Sequence, residues 1–200
     1  MKERPIIFNT EMVKAILEGR KTMTRRVIKP QPNKPEGTAH DWEWKPAGML
    51  CYDDYFRSHA VNYCPYGQVG DGLWVRETWL EDEKADSIEA VHGHIYYKAD
   101  YIKTFEKTIW RPSIFMPRWA SRIDLEITDI RVERLQEISD EDMLAEGCAS
   151  THYTQKGDEV YIDAWQLINY FPKVWDSLNA KRGYSWESNC WVWVISFKLR

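Results

Sequence analysis

The sequence predicts an α+β protein with a curved or closed β-sheet and helices at its edges. Three observations carry this expectation. In "SRIDLEITDIRVERL", Ile123, Leu125 and Ile127 alternate with Arg122, Asp124, Glu126 and Thr128, the period of a half-buried strand. Near the end, "CWVWVISFK" is almost continuously apolar, as expected of a central strand covered on both faces. Finally, strands outnumber helices and do not follow the βαβ rhythm of a doubly wound sheet.

The elements follow in chain order. Residues 5–9, "PIIFN", form a short strand. Thr10 is placed as a helix N-cap, with Glu11 in the first turn. Met12, Val13, Ile16 and Leu17 share one helical face, and Gly19 ends the helix at C′. Residues 29–66, rich in Pro, Trp and Tyr but without periodicity, read as a long, partly ordered insertion. "GQVGDGLWVRETW" is a turn followed by a strand in which Leu73, Val75 and Glu77 alternate with Trp74, Arg76 and Thr78. A second excursion spans about 81–110 and contains a strand at "IYYKAD". The strand at 122–132 needs a bulge near Asp129 to keep Ile130 and Val132 inside. "SDEDMLAEG" is a compact helix in which Ser139 and Asp142 resemble a capping box, closed by Gly147. A helix at 163–181, anchored by Trp165, Ile168, Val174, Trp175 and Leu178, is expected to break at Pro172. Residues 1–200 thus read as one domain with two insertions.

Composition limits the function. A net charge of -4 argues against a protein that coats nucleic acid with a broad basic surface, yet permits a focused pocket for one nucleotide. Eleven Trp and eleven Tyr suit either a core or a base-stacking pocket. No apolar run reaches the ~18 residues of a membrane span, and "MKERPIIFNT" has no secretory apolar region; a cytoplasmic protein with no membrane partner is expected. Cys51, Cys64, Cys148 and Cys190 form no C-x-x-C pair, and Cys51, His59 and Cys64 with His92 and His94 match no standard zinc spacing. Buried, reduced thiols and no cofactor or metal are expected. The oligomeric state is not legible.

The chemistry-bearing stretch is "ILEGRKTMTRR", residues 16–26, with Arg20, Lys21, Arg25 and Arg26 just past a helix C-terminus. The helix macrodipole alone favours Arg20 and Lys21 there, so a solvated turn is one reading. Together with "GDGLWVRETW" and the last strand, the stretch resembles the ASCH (activating-signal-cointegrator homology) domain family in its phage and prophage branch. Gly19, Lys21 and Arg26 match the signature G-x-K-x-x-E-x-R, and Thr24 replaces its glutamate. That replacement is similar to the bacterial N4-acetylcytidine amidohydrolases, small ASCH proteins with a Lys-Thr-Glu catalytic trio. The resemblance implies a PUA-like mixed or antiparallel β-barrel with flanking helices. It also implies catalytic roles for Lys21, Thr24 and Glu146, the last on the short helix.

The chemistry is consistent with that trio. Thr24 offers a nucleophile. Lys21 would accept its proton if burial and Arg25 and Arg26 lowered its pKa, and Glu146 would serve the leaving nitrogen. Arg26 would hold an oxyanion or phosphate. A second constellation, Arg76 and Glu77 flanked by Trp74 and Trp79, reads either as a pocket wall that stacks and reads a base or as an ordinary strand with a paired Arg and Glu. "RPSIFMPRWASR" places Arg111, Arg118, Trp119 and Arg122 either over that pocket or in a plain loop. Asn179, Lys181 and Arg182 close a helix, for which the dipole is sufficient reason. Two functions follow: an amidohydrolase on an N4-acylated cytidine or related nucleoside or nucleotide, or a PUA-like RNA-binding module or ribonuclease using the same basic pocket.

Overall fold

The computed structural model describes residues 1–37, 39–82, 94–100, 109–148, 151–153, 159–161 and 164–200. In chain order the strands and α-helices are β1 (Glu3–Ile7), α1 (Thr10–Leu17), β2 (Met23–Val27), β3 (Trp42–Trp44), β4 (Met49–Cys51), α2 (Asp53–Ala60), β5 (Gly72–Arg76), β6 (Trp79–Asp82) and β7 (His94–Tyr97). They continue with β8 (Asp124–Arg134), α3 (Asp140–Ala145), β9 (Thr151–Tyr153), β10 (Glu159–Tyr161), α4 (Ala164–Asn179) and β11 (Trp191–Leu199). Much of the expected second excursion, including His92, and the Trp165 and Ile168 side chains lie outside what is described.

Five strands make one mixed sheet in the order β1-β5-β8-β11-β2. β1 runs parallel to β5, and the other neighbours are antiparallel. The expected α+β class is present, but the barrel needs correcting: backbone hydrogen bonds do not close it, and β1 and β2 remain as two edges. A side chain spans the gap instead. Arg26 Nη2 on β2 donates to the Ile7 carbonyl on β1 at 2.7 Å. A seam held by an arginine leaves room that a backbone ladder would fill.

β11 is an interior strand, between β8 at the middle of the sheet and the edge strand β2, and Trp191 to Ile195 are all buried. Its two faces serve two cores. Trp191, Trp193, Ile195 and Phe197 pack with Ile6, Phe8, Val75 and Ile127, whereas Val192 and Val194 pack with Met23, Leu135, Met143, Phe171 and Trp175. Burying each such side chain contributes about 1.5–3 kcal/mol. The expected bulge in β8 is real. The register with β11 slips between Ser196 and Phe197, opposite Asp129 and Ile127, so Thr128 is the extra residue. That extra residue is why Leu125 and Ile127 share one apolar face with Ile130 and Val132 despite the change of parity.

Several local expectations change. The first strand is Glu3–Ile7, and the cap of α1 is Asn9, whose Oδ1 accepts from the Met12 N–H at 2.8 Å; Thr10 is the first helical residue. Asn outranks Thr at this position. Ser139 caps α3 by accepting from the Asp142 N–H, but Asp142 does not complete a capping box because its carboxylate is engaged by Arg25 and Arg131. Pro172 lies within α4 without ending it. The segment 29–66 is more ordered than expected. Trp44, Cys51, Phe56, Ala60 and Cys64 from its hairpin and α2 join the larger core, and the Trp44 and Phe56 rings meet edge-on with centroids 5.7 Å apart. Aperiodic sequence hid this because short elements packed by aromatics show no extended pattern.

All four cysteines are buried free thiols. Among the described residues no cluster of His, Cys, Asp and Glu converges to hold a metal ion, and no helix is long and apolar enough to cross a membrane.

Gly147 decides how α3 meets the rest. Its φ is +86°, and a Cβ there would sit 3.0 Å from both Ala15 Cβ and Lys21 Cβ. Any side chain would force α3 away from the α1–β2 connection. Gly147→Ala is expected to cost roughly 1–2 kcal/mol for the left-handed backbone alone, plus the contact penalty. In a thermal melt this should lower Tm by about 3–8 °C.

Candidate functional site

The site starts where α1 passes into β2. Gly19, at φ +74°, ends the helix, and the Lys21 N–H returns to the Ala15 carbonyl at 2.9 Å. Beyond it the chain is extended, so the extra turn that would place Lys21 and Thr24 on one face is absent. Lys21 Nζ donates to the Met23 carbonyl at 2.7 Å, and that carbonyl belongs to the peptide link to Thr24.

Glu146 comes from the other side. It is the C-cap of α3 and forms an isolated antiparallel bridge with Lys21. Lys21 Nζ donates to Glu146 Oε2 at 2.6 Å and to the Glu146 carbonyl at 2.8 Å. With the Met23 carbonyl this makes three acceptors for the three ammonium protons. The two side chains are 0% and 6% exposed, and the Phe8 ring covers the amine with its centroid 5.6 Å from Nζ. Burial pushes the Lys21 pKa below its ordinary value; Glu146 opposes the shift and the Arg26 charge adds to it. Glu146 Oε1 is buried without a hydrogen-bond partner among the described residues, and Arg25 Nη1 is 3.8 Å away.

β2 divides the remaining residues by face. Thr24 and Arg26 lie opposite Ile195 and Trp193 of β11, on the side of the larger core. The Thr24 side chain is buried at the wall of a cleft, and among the described residues its hydroxyl makes no hydrogen bond. Arg26 lies over Phe8, 5.1 Å from the ring centroid. Its Nε is buried without a partner among the described residues, and burial lowers its pKa. Arg25 points the other way. Its guanidinium meets Asp142 at 2.5 Å and Glu133 at 3.1 Å, and Arg131 bonds the same two carboxylates at 3.1 and 3.0 Å. This network ties α3 to the sheet.

The cleft, of about 840 Å³, opens along the β1–β2 seam. Thr24, Arg26 and Glu146 line it, with Phe8, Asn9 and Thr10 on one side and Val174, Asn179 and Arg182 of α4 and its following turn on the other. Trp44, Tyr63 and Tyr66 of the 29–66 segment and Trp193 supply an aromatic wall. Sequence reasoning passed over Phe8, Trp44, Tyr63, Tyr66 and Trp193. The only signal for them was aromatic abundance, which does not distinguish a wall from a core.

The second constellation lies apart from this cleft. Trp74 is buried beneath Arg76 and Arg118, whose guanidinium carbons are 4.6 and 5.9 Å from the ring centroid. Arg76 donates to the Ile114 carbonyl at 3.3 Å. Glu77 is buried and paired with Arg122 through bonds of 2.9 and 3.2 Å; burial raises its pKa and Arg122 opposes. Trp79 packs with Met116 and Ala120, and Trp119 meets it edge-on at 6.0 Å. Arg118 bridges Glu3 at 3.2 Å and Asp124 at 2.9 Å. None of Trp74, Arg76, Glu77, Trp79, Arg118 and Trp119 lines the cleft, where only Thr78 and Ser113 come from these segments. Of the two readings of this constellation, a wall of this cleft is not what the lining shows: the alternation of β5 and the packing of β6 send both Trp rings elsewhere.

Removing Lys21 would strand a buried carboxylate. Lys21→Met is expected to destabilise the fold by about 3–5 kcal/mol, measured by urea unfolding at neutral pH, and adding Glu146→Gln should recover part of the loss. The pH dependence has a definite sign. Folding lowers the Lys21 pKa, so the unfolded chain holds the extra proton. Stability should rise with pH in the window between the folded value and the ordinary value of 10.5, with the full penalty present below the folded value. That component of the slope should vanish in Lys21→Met.

No family model matches the sequence, and no curated protein is significantly similar to it. Among solved structures the chain is similar to the high-resolution crystal structure of an ASCH domain from Lactobacillus crispatus JV V101. Identity is 14%, the TM-score is 0.39, and the alignment covers 99% of this chain and 79% of that one.

Proposed function

We propose that the chain is an amidohydrolase that removes the acyl group from an N4-acylated cytidine or a related modified nucleoside or nucleotide. The observation that carries this reading is the buried pair of Lys21 Nζ and Glu146 Oε2, 2.6 Å apart, with Lys21 behind the peptide link to Thr24 and with Thr24 and Glu146 at the wall of an aromatic-lined cleft. An amide needs a nucleophile, a base for its proton and an acid for the leaving amine. Thr24 is the nucleophile, and its hydroxyl has no competing hydrogen bond among the described residues. Lys21 is assigned the base: burial lowers its pKa, and Glu146 Oε2 is placed to take one of its ammonium protons.

In this scheme Lys21 first gives one ammonium proton to Glu146 Oε2, and Thr24 Oγ1 attacks the acyl carbon while its proton passes to the neutral amine so formed. The carbon–N4 bond then breaks, and that proton passes to N4, giving the free exocyclic amine. Water attacks the acyl-threonine in turn, releases the carboxylic acid and restores the hydroxyl. Glu146 holds the lysine in place through Oε2, and Oε1, which has no partner among the described residues, is free to accept the substrate N–H or to orient the water. Arg26, with a buried and unpartnered Nε among the described residues, is the group to hold the oxyanion. Tyr63, half exposed, and Tyr66 offer ring surface to a nucleobase, with the buried Trp44 and Trp193 packed behind them.

The test is release of acetate from N4-acetylcytidine by the purified chain. Thr24→Val, similar in shape but without the hydroxyl, should lower kcat by about 10²–10⁴-fold, and Thr24→Ser should retain most of it. Glu146→Gln should fall with Thr24→Val, because parts of one catalytic unit fail together. A folded wild-type protein inert towards every N4-acylated cytosine tried would sink the reading.

A further inference from the structure

We propose that the mouth of the cleft holds a phosphate subsite built by Lys29 and Arg182, so that the preferred ligand is a phosphorylated nucleotide rather than a free nucleoside. The inference deepens the reading above by naming the substrate class of the same cleft.

It begins with charge. Of the charged residues at the cleft wall, four are cationic, Arg25, Arg26, Lys29 and Arg182, and one is a carboxylate, Glu146, with the Arg25 side chain turned to the other face of β2. Lys21 and Arg25 already face that carboxylate, and Arg25 is further engaged by Glu133 and Asp142. Arg26, Lys29 and Arg182 have no ion pair among the described residues. Elsewhere Arg76, Arg134 and several lysines also have no ion pair among the described residues, so what marks the cleft is the grouping of three such cations with a single carboxylate. Arg4, Arg20, Arg57, Arg111, Arg118, Arg122, Arg131 and Arg200 each hold an ion pair. Three cations without an ion pair and one carboxylate that is already engaged give the cleft a local positive charge in a chain of net charge -4.

The geometry gathers them. The turn after α4 runs from Asn179 through a 3₁₀ segment, Ala180–Arg182, to Gly183 at φ +86°. Lys29 Nζ lies over the ring of Tyr184, 5.1 Å from its centroid, which sets it against the same turn that carries Arg182. Burial lowers the Arg26 pKa, and the charge of Arg182, which lines the same cleft, adds to the lowering. Like charges held together without an anion are a cost that a bound phosphate would reverse. Asn9 and Thr10, at the N-terminal end of α1, line the opposite lip and add the favourable end of a helix dipole.

Phosphate chemistry is shared by a mononucleotide and by an RNA backbone, and the experiment separates them. Calorimetry at low salt would compare cytidine, cytidine 5′- and 3′-monophosphate and a short cytidine-containing RNA, with inorganic phosphate as competitor. At least one monophosphate should bind about tenfold or more tightly than cytidine. Lys29→Gln/Arg182→Gln should erase that advantage while leaving cytidine affinity unchanged, and the charge-reversed Lys29→Glu/Arg182→Glu should make phosphorylation unfavourable. Both positions are exposed, and an unchanged Tm would confirm that the variants fold. RNA binding tighter than either monophosphate, lost in the same variants and falling steeply with salt, would support the subsite with the backbone as its ligand. Equal affinity for cytidine and both monophosphates, with no effect of the double variant on RNA, would overturn the subsite. The two readings fail separately: acetate release without a phosphate preference leaves the amidohydrolase standing, and a cation-dependent phosphate preference without acetate release leaves the subsite standing.

Discussion

The arrangement depends on one buried ion pair. Lys21 and Glu146 join the α1–β2 connection to the end of α3, two places separated by 125 residues. Such pairs are poor stabilisers, because desolvating two charges costs about as much as their attraction returns. This one is made tolerable by saturation: the ammonium meets one carboxylate and two carbonyls, at 2.6, 2.7 and 2.8 Å. Everything adjacent protects that geometry. Gly147 lets the backbone approach, Phe8 covers the amine, and the Thr22 N–H donates to Ala145 at 2.9 Å beside it. A hydrophobic pair would hold two elements together more cheaply, which makes the retention of charge here an argument for chemistry rather than for stability.

The rest of the charge is divided by location. Behind β2, Arg25 and Arg131 face Glu133 and Asp142 in a closed network that fastens α3 to the sheet. In front of β2, Arg26 meets the Ile7 carbonyl and the face of Phe8 and has no ion pair among the described residues. Adjacent residues of one strand thus do opposite work, because alternate side chains of a strand point to opposite faces. Arg25 was a candidate ligand contact and is mainly a fastening. Arg26 stands in the seam, where it joins the two sheet edges and remains unpaired in charge among the described residues.

The seam also explains the 29–66 segment. A sheet whose edges do not pair exposes apolar side chains and needs cover. Trp44, Phe56 and Trp191 provide it in a chain of edge-on ring contacts of 5.0 and 5.7 Å. Trp44 and Tyr63 then continue into the cleft wall. The same aromatic surface that completes the core therefore bounds the site, and the size of the cleft is set by a segment whose sequence has no regular pattern.

Local signals determined much of this protein. The alternation of 122–132, the apolar run of 190–198, the bulge at Thr128 and the helix ended by Gly19 were legible because each follows from the period of one element. Lys21 and Thr24 stood out as residue types at close spacing. What only the tertiary structure decided was convergence. Glu146 and Arg182 are set against β2 by packing across the sheet, and Trp74 and Glu77 are turned away from the cleft by the same packing. The open seam, too, arises from which strands fail to pair. Sequence specifies the face of each element, but long-range contact chooses which faces meet, and a site made of residues from β1, β2, α3 and α4 exists only once those choices are made.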